Sequence, residues 1–243
     1  MKFWLAFIPF TLLFLICASA QATITLDTHN SKQGTATCNV TSINLTLTSV
    51  TAGDLITCEA TMGTPSSATT IAISDSTNGA YSVSAAIQAN VNAEQYVAMF
   101  YFQNAAAGTY SVTATNNGAA CYFGFSCQAW TGVAKTAALD TSFSQYKYQA
   151  TSAANPTTGT ALTPYTGGEL IIGFVSTSNN TPTAGTNYTL IDAQSTCLAY
   201  PEYSIQNGPT ATNAPFTMAT DFWLDQMAAF KPIPRPTGFQ IIQ

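Results

Sequence analysis

Apolar and polar side chains alternate along most of this chain with a period of two. In Ile43-Asn44-Leu45-Thr46-Leu47 every second residue is apolar. The same rhythm runs through Tyr81, Val83, Ala85 and Ile87, and through Tyr110, Val112 and Ala114. Successive side chains of a β-strand point to opposite faces, so this rhythm predicts strands buried on one face only. Three runs are apolar throughout: Tyr96 to Phe102, Leu170 to Val175 and, with interruptions, Phe222 to Phe230. They predict central strands covered on both sides; the alternative is that one face lines a ligand groove. Turn signals separate the runs at Ala52-Gly53-Asp54, Asn78-Gly79, Ala107-Gly108, Asn117-Gly118, Gly167-Gly168 and Asn207-Gly208-Pro209. No segment reads as a capped amphipathic helix, and Ser84 to Gln95, the nearest to one, fits strand plus turn as well. The expectation is roughly a dozen strands in an all-β fold, a two-sheet antiparallel β-sandwich of jelly-roll-like form.

The first twenty residues follow a different pattern. Lys2 is followed by an apolar run from Phe3 to Cys17 and by the small residues Ala18-Ser19-Ala20. A charged start, an apolar stretch and an A-x-A site predict a cleaved secretory signal peptide over 1–20, with Gln21 as the first mature residue. Cys17 then belongs to the discarded signal. We expect one β-sandwich domain over 21–231 and an extended, Pro-rich C-terminal tail over 232–243. No second apolar run is long enough to span a membrane after cleavage.

Composition narrows the partners. Only 7% of residues are charged, against roughly a quarter in an average globular protein. Without Lys2 the mature chain carries five Lys+Arg against eleven Asp+Glu. A phosphate-binding groove needs clustered cations, so a nucleic-acid partner is excluded. A surface of Thr, Ser and Asn suits neutral polar ligands.

Export permits disulfides, and Cys38, Cys58, Cys121, Cys127 and Cys197 are the candidates. If Ala120 to Thr131 is one extended strand, Cys121 and Cys127 lie about 20 Å apart at ~3.3 Å per residue. A bridge needs Cα atoms within about 7 Å, so these two pair only if the strand breaks at Gly124.

Catalytic constellations are scarce. The chain has one histidine, His29, which reads as an ordinary polar residue near a first strand. Gly124-Phe125-Ser126-Cys127-Gln128 fails the G-x-S-x-G pattern at its last position. Glycosidase chemistry needs only two carboxylates, for which Glu59, Glu94, Glu169, Asp192, Glu202, Asp221 and Asp225 are available. Asp221 and Asp225, four residues apart beside Trp223, form the most suggestive pair. Trp130 and Trp223 are the candidate sugar-stacking aromatics, although their apolar contexts fit core packing. In Asp75-Ser76-Thr77-Asn78-Gly79, Asp75 and Asn78 could ligate calcium, or the same atoms could close a turn. Asn39, Asn44, Asn179 and Asn187 begin glycosylation sequons, which short Thr-rich stretches also produce by chance.

An ordered set of elements carries a resemblance. They are Ala52-Gly53-Asp54-Leu55-Ile56, Asp75-Ser76-Thr77-Asn78 with Tyr81, Ala107-Gly108-Thr109-Tyr110-Ser111-Val112-Thr113, Ala129-Trp130-Thr131-Gly132-Val133, Gly168-Glu169-Leu170-Ile171-Ile172-Gly173, and Met227-Ala228-Ala229-Phe230-Lys231-Pro232. In these the chain resembles secreted bacterial β-sandwich domains. The resemblance implies a fold and an extracellular setting, not an activity. We therefore expect a secreted, non-catalytic binding or adhesion protein whose partner is a polysaccharide or cell-surface component. Asp221, Asp225, Trp130 and Trp223 are its candidate contacts, and calcium at Asp75 and Asn78 is its only candidate cofactor. The alternatives are a structural subunit of an extracellular layer or fibre, and a carboxylate-dependent glycan hydrolase.

Overall fold

The computed structural model describes residues 23–33, 40–63, 70–90, 95–149, 151–192 and 199–234. The expected signal peptide, Cys38, Glu94, Cys197, the Asn39 sequon and the end of the tail lie outside them. The described chain is all-β. In order its strands are β1 (Thr25–Gln33), β2 (Val40–Val50), β3 (Leu55–Gly63), β4 (Ile71–Asp75), β5 (Gly79–Ala80), β6 (Ser82–Asn90), β7 (Gln95–Phe102), β8 (Gly108–Thr131), β9 (Leu139–Tyr148), β10 (Leu170–Thr177), β11 (Thr189–Leu190), β12 (Ala199–Ile205) and β13 (Trp223–Phe230). All pairings between them are antiparallel.

The architecture turns on β8, which runs unbroken for 24 residues. Its first half pairs with β2 and β4; its second half pairs with β1 and β3. The turn expected at Asn117-Gly118 is therefore not a turn: the dipeptide lies inside the strand, where the register slips. Val40 faces Ala120 while Ser42 faces Thr115, and Gly63 faces Cys121 while Thr61 faces Gly124. Tyr122 sits there with a φ of 52°. Asparagine side chains take over where the ladder fails. Asn116 accepts from the Gly118 N–H and donates to the Val40 carbonyl, and Asn117 accepts from the Thr70 N–H. A strand that bends at bulges can pass from one layer to another. The eight-stranded sheet thereby folds back on itself around a core that includes Leu45, Leu47, Ile73, Val112, Phe123, Phe125 and Phe100.

A second sheet, ordered β11-β12-β10-β13-β9, covers the outer face of β3, β7 and β8. Trp130, Leu55, Val97 and Met99 meet Leu170, Ile172, Phe174, Leu224 and Phe230 in this second core. The far face of the second sheet is covered by loops, which bury Phe143, Ile171, Met227, Val175, Tyr200 and Trp223 of its strands against Ala214, Phe216 and Met218. Isolated bridges Ala153–Asp221, Leu162–Thr212 and Thr183–Thr217 tie those loops together. This layering accounts for the doubly apolar runs: β10 and β13 are buried at every position. The alternation also holds where one face is open, since Ile43, Leu45 and Leu47 are buried and their neighbours on β2 exposed. It slips at Val83, which is 51% exposed, because β6 shifts register between Val83 and Ala85.

Candidate functional site

In register, Leu170 at the start of β10 faces Ile205 at the end of β12 and Phe230 at the end of β13. The segments that leave these three strand ends must therefore emerge side by side. Thr166-Gly167-Gly168, Gln206-Asn207 and Lys231 to Pro234 do so, and with Thr23, Ile24, Ala134, Thr136 and Ala137 they enclose a cleft of about 770 Å³. Its walls are tied by backbone bonds. The Lys231 N–H donates to Ala138, the Ala134 N–H to Lys231, and the Ile233 N–H to Gly132. Pro232 bridges Val133, so the start of the Pro-rich segment forms part of the wall.

Two carboxylates set the loop that carries Tyr165. Glu169 is fully buried; its Oε1 accepts from the Thr166 N–H at 2.9 Å and from the Thr166 hydroxyl at 2.8 Å. Burial raises its pKa above the ordinary value, against the pull of Thr166 and Lys231. Asp140 accepts from the Ser142 N–H and hydroxyl and from the Tyr165 N–H at 3.1 Å. Burial would raise its pKa, but these bonds and Lys231 together hold it below the ordinary value. Tyr165 is thus anchored by its backbone while its side chain is 80% exposed, beside Thr166 of the cleft. Lys231 is the one charged residue in the lining. Threonine hydroxyls, two side-chain amides and an adjacent aromatic ring can donate to, accept from and stack on a neutral polyhydroxylated molecule.

The residues singled out in the sequence lie elsewhere and apart. Trp130 is buried between the sheets; its indole donates to Thr57 and meets the Tyr203 ring edge-on at 4.9 Å. Trp223 is buried under the loops, with Lys147 Nζ 5.6 Å from its ring centre and its indole donating to Ala153. Neither ring is open to a ligand. Asp221 precedes β13 rather than sharing it with Asp225, and its carboxylate accepts from the Asn179, Asn180 and Phe222 N–H groups at 2.8 Å. Asp225 is fully buried, with no hydrogen-bond partner for either oxygen among the described residues. Burial, then Glu202, raises its pKa well above the ordinary value. Asp75 accepts from the Thr77 and Asn78 N–H groups, the Asn78 side chain and the Tyr81 hydroxyl. Those four bonds occupy the carboxylate in closing the turn, the other reading of this motif. Among the described residues no group of three or more His, Cys, Asp or Glu could hold a metal ion.

Comparison with protein-family models and with curated proteins finds no match. The site stands on its own geometry.

Cys58 and Cys127 face each other across β3 and β8 and form a disulfide with Cα atoms 4.1 Å apart. Cys121 is also disulfide-bonded. Cys121 and Cys127 do not pair with each other, consistent with β8 running unbroken through Gly124. His29, read from sequence as an ordinary polar residue, joins a chain of hydrogen bonds that enters the protein. His29 Nδ1 lies 3.1 Å from Asp192 Oδ2, and the Ser126 hydroxyl donates to the same oxygen at 3.3 Å. Gln128 Nε2 donates to Ser126, and the Thr57 hydroxyl donates to Gln128 Oε1. The aspartate stands between serine and histidine, so His29 is not placed as a base for Ser126; this is not the Ser-His-Asp order of a hydrolase. Glu59, on the same face of β3 as Thr57, is fully buried at the inner end of this network.

Proposed function

We propose that the chain is an exported, non-catalytic binding or adhesion protein that takes a neutral polar ligand, carbohydrate foremost, in the cleft beside Tyr165. The observation that carries this reading is a backbone-anchored, side-chain-exposed aromatic, Tyr165, next in the chain to Thr166 of a cleft whose lining holds a single charge. Concave sites with a few convergent polar groups are the usual form of small-ligand sites. Export is supported by the signal-peptide pattern and by the Cys58–Cys127 disulfide, since such bonds persist in oxidising compartments. We read the face-to-face packing of Trp130 and Leu55 on Phe174 and Leu224 as a jelly-roll-like β-sandwich, in which one sheet also folds on itself.

The test is a pull-down of the chain from Gln21 to Gln243 with soluble and insoluble polysaccharides, assaying the supernatant for released sugar. Binding without release is expected. Tyr165→Ala should weaken it about tenfold, which corresponds to roughly 1.4 kcal/mol of lost stacking. Sugar release would overturn the non-catalytic reading. Binding unchanged in Tyr165→Ala would remove the cleft from it.

A further inference from the structure

We propose that Thr57 and Gln128 become joined by an ester bond between β3 and β8, formed by the folded chain itself. The two residues are directly opposite in register and buried, with Thr57 Oγ1 2.8 Å from Gln128 Oε1. The hydroxyl nucleophile thus already rests against the amide it would attack. Each partner is oriented from behind. The Trp130 indole donates to Thr57 Oγ1 at 3.1 Å, which directs the threonine proton toward the amide. Gln128 Nε2 donates to Ser126 Oγ at 2.7 Å, and Ser126 is in turn tied to Asp192. Holding nucleophile and acyl group in contact removes most of the entropy cost of their meeting.

The required proton carrier is present. Glu59 is two residues from Thr57 on the same face of β3 and faces Ser126 across the ladder. It is fully buried, and neither of its oxygens has a hydrogen-bond partner among the described residues. A buried carboxyl without such a bond is costly to keep. Burial pushes its pKa up to about 8, an effect eased first by the proximity of Gln128 and then by that of Thr57. At neutral pH it is therefore mostly a neutral acid, able to take a proton on one oxygen while giving one from the other.

The step balances without a co-reactant. Thr57 Oγ1 attacks Gln128 Cδ as its proton turns from Gln128 Oε1 to Glu59, which delivers its own proton to Nε2. The Cδ–Nε2 bond breaks, ammonia leaves, and Glu59 is again protonated. Nothing is oxidised or reduced. Escape of ammonia to solvent draws the reaction forward, and the burial of Thr57 and Gln128 shields the ester from hydrolysis. The Cys58–Cys127 disulfide joins the neighbouring residue pair on the opposite face. The ester would hold the same two strands under conditions that reduce the disulfide.

Tandem mass spectrometry of the reduced, alkylated and digested protein decides this. The expected result is a joined peptide pair containing Thr57 and Gln128, lighter than its two members by one ammonia. Hydroxylamine should separate the pair, leaving a free Thr57 and a hydroxamate at Gln128. An N-terminal Gln21 can lose ammonia by itself, so the linked peptides, not the intact mass, are the readout. Separate, unmodified Thr57 and Gln128 peptides from the wild-type chain would overturn the proposal. Glu59→Gln should retain the β spectrum and yield only separate peptides; a linked pair in that variant would refute the role given to Glu59. The wild-type map decides the cross-link even if the variant does not fold.

Discussion

Replacing Glu202 by glutamine should make the protein more stable, and increasingly so as pH rises. Glu202 is fully buried under the loops. Its Oε2 accepts from the Gly185 N–H at 2.9 Å, and Oε1 has no partner among the described residues. Burial raises its pKa from 4.5 to about 8, with the Gly185 bond pulling the other way. The folded chain thus holds this proton more tightly than the unfolded chain does. The stability it contributes is complete below pH 4.5 and is lost as pH rises through 8. At 1.36 kcal/mol for each tenfold change, the loss is about 2 kcal/mol at pH 6 and about 5 kcal/mol at pH 9. Glutamine keeps an acceptor for Gly185 and does not titrate. The stability difference, variant minus wild type, should therefore grow by about 3 kcal/mol between pH 6 and pH 9. Asp225 adds to this gain, because Glu202 contributes to raising its pKa. Glu59 titrates in both proteins and cancels in the difference. Urea unfolding of the two proteins at pH 6, 7.5 and 9 measures it. A difference that stays constant across that range would refute the reasoning, because it would mean that Glu202 titrates alike in the folded and unfolded chains.

Three further outcomes follow from single contacts. Converting both Cys58 and Cys127 to alanine opens a link spanning 69 residues and should cost about 4 kcal/mol in urea unfolding; a loss below about 1 kcal/mol would contradict that loop-entropy estimate. At Gly185 an added Cβ would lie 1.7 Å from the Pro215 carbonyl oxygen. Gly185→Ala should therefore lift the loop over Glu202 and expose it to limited proteolysis, whereas a wild-type cleavage pattern would show that the backbone yields without undocking. Asp221→Ala strands the N–H groups of Asn179, Asn180 and Phe222 and should cost about 3 kcal/mol or more, against a smaller loss for Asp221→Asn; equal losses in the two would point to packing rather than hydrogen bonding.

The strands were legible where burial is local. Tyr96 to Phe102 and Leu170 to Val175 lie inside their sheets because an unbroken apolar run needs cover on both faces; the structure supplies it at every position of β10 and from Val97 to Phe100 of β7, while Tyr96, Tyr101 and Phe102 are partly buried. Asn117-Gly118 was misleading because a hairpin and a bulged, layer-crossing strand draw on the same residues. Both need relaxed backbone and side chains that can replace ladder bonds, and only the pairing of β2 and β3 with the two halves of β8 tells them apart. The cleft left no local signal at all. Its walls are adjacent only because Leu170 is in register with both Ile205 and Phe230. The buried network was hidden by the rule that read the strands correctly. Thr57, Glu59 and Thr61 alternate with Ile56, Cys58 and Ala60, so they read as the solvent side of a half-buried strand. The second sheet covers that side: Thr61 Oγ1 lies 3.0 Å from Ser176 of β10, and Glu59 is fully buried. Period-two alternation reports that the two faces of a strand differ, not that the polar face is wet. Where a further layer closes over polar residues, each must find a partner or bear the cost of having none. Thr57, Ser126 and Gln128 found partners in one another, and Glu59 did not.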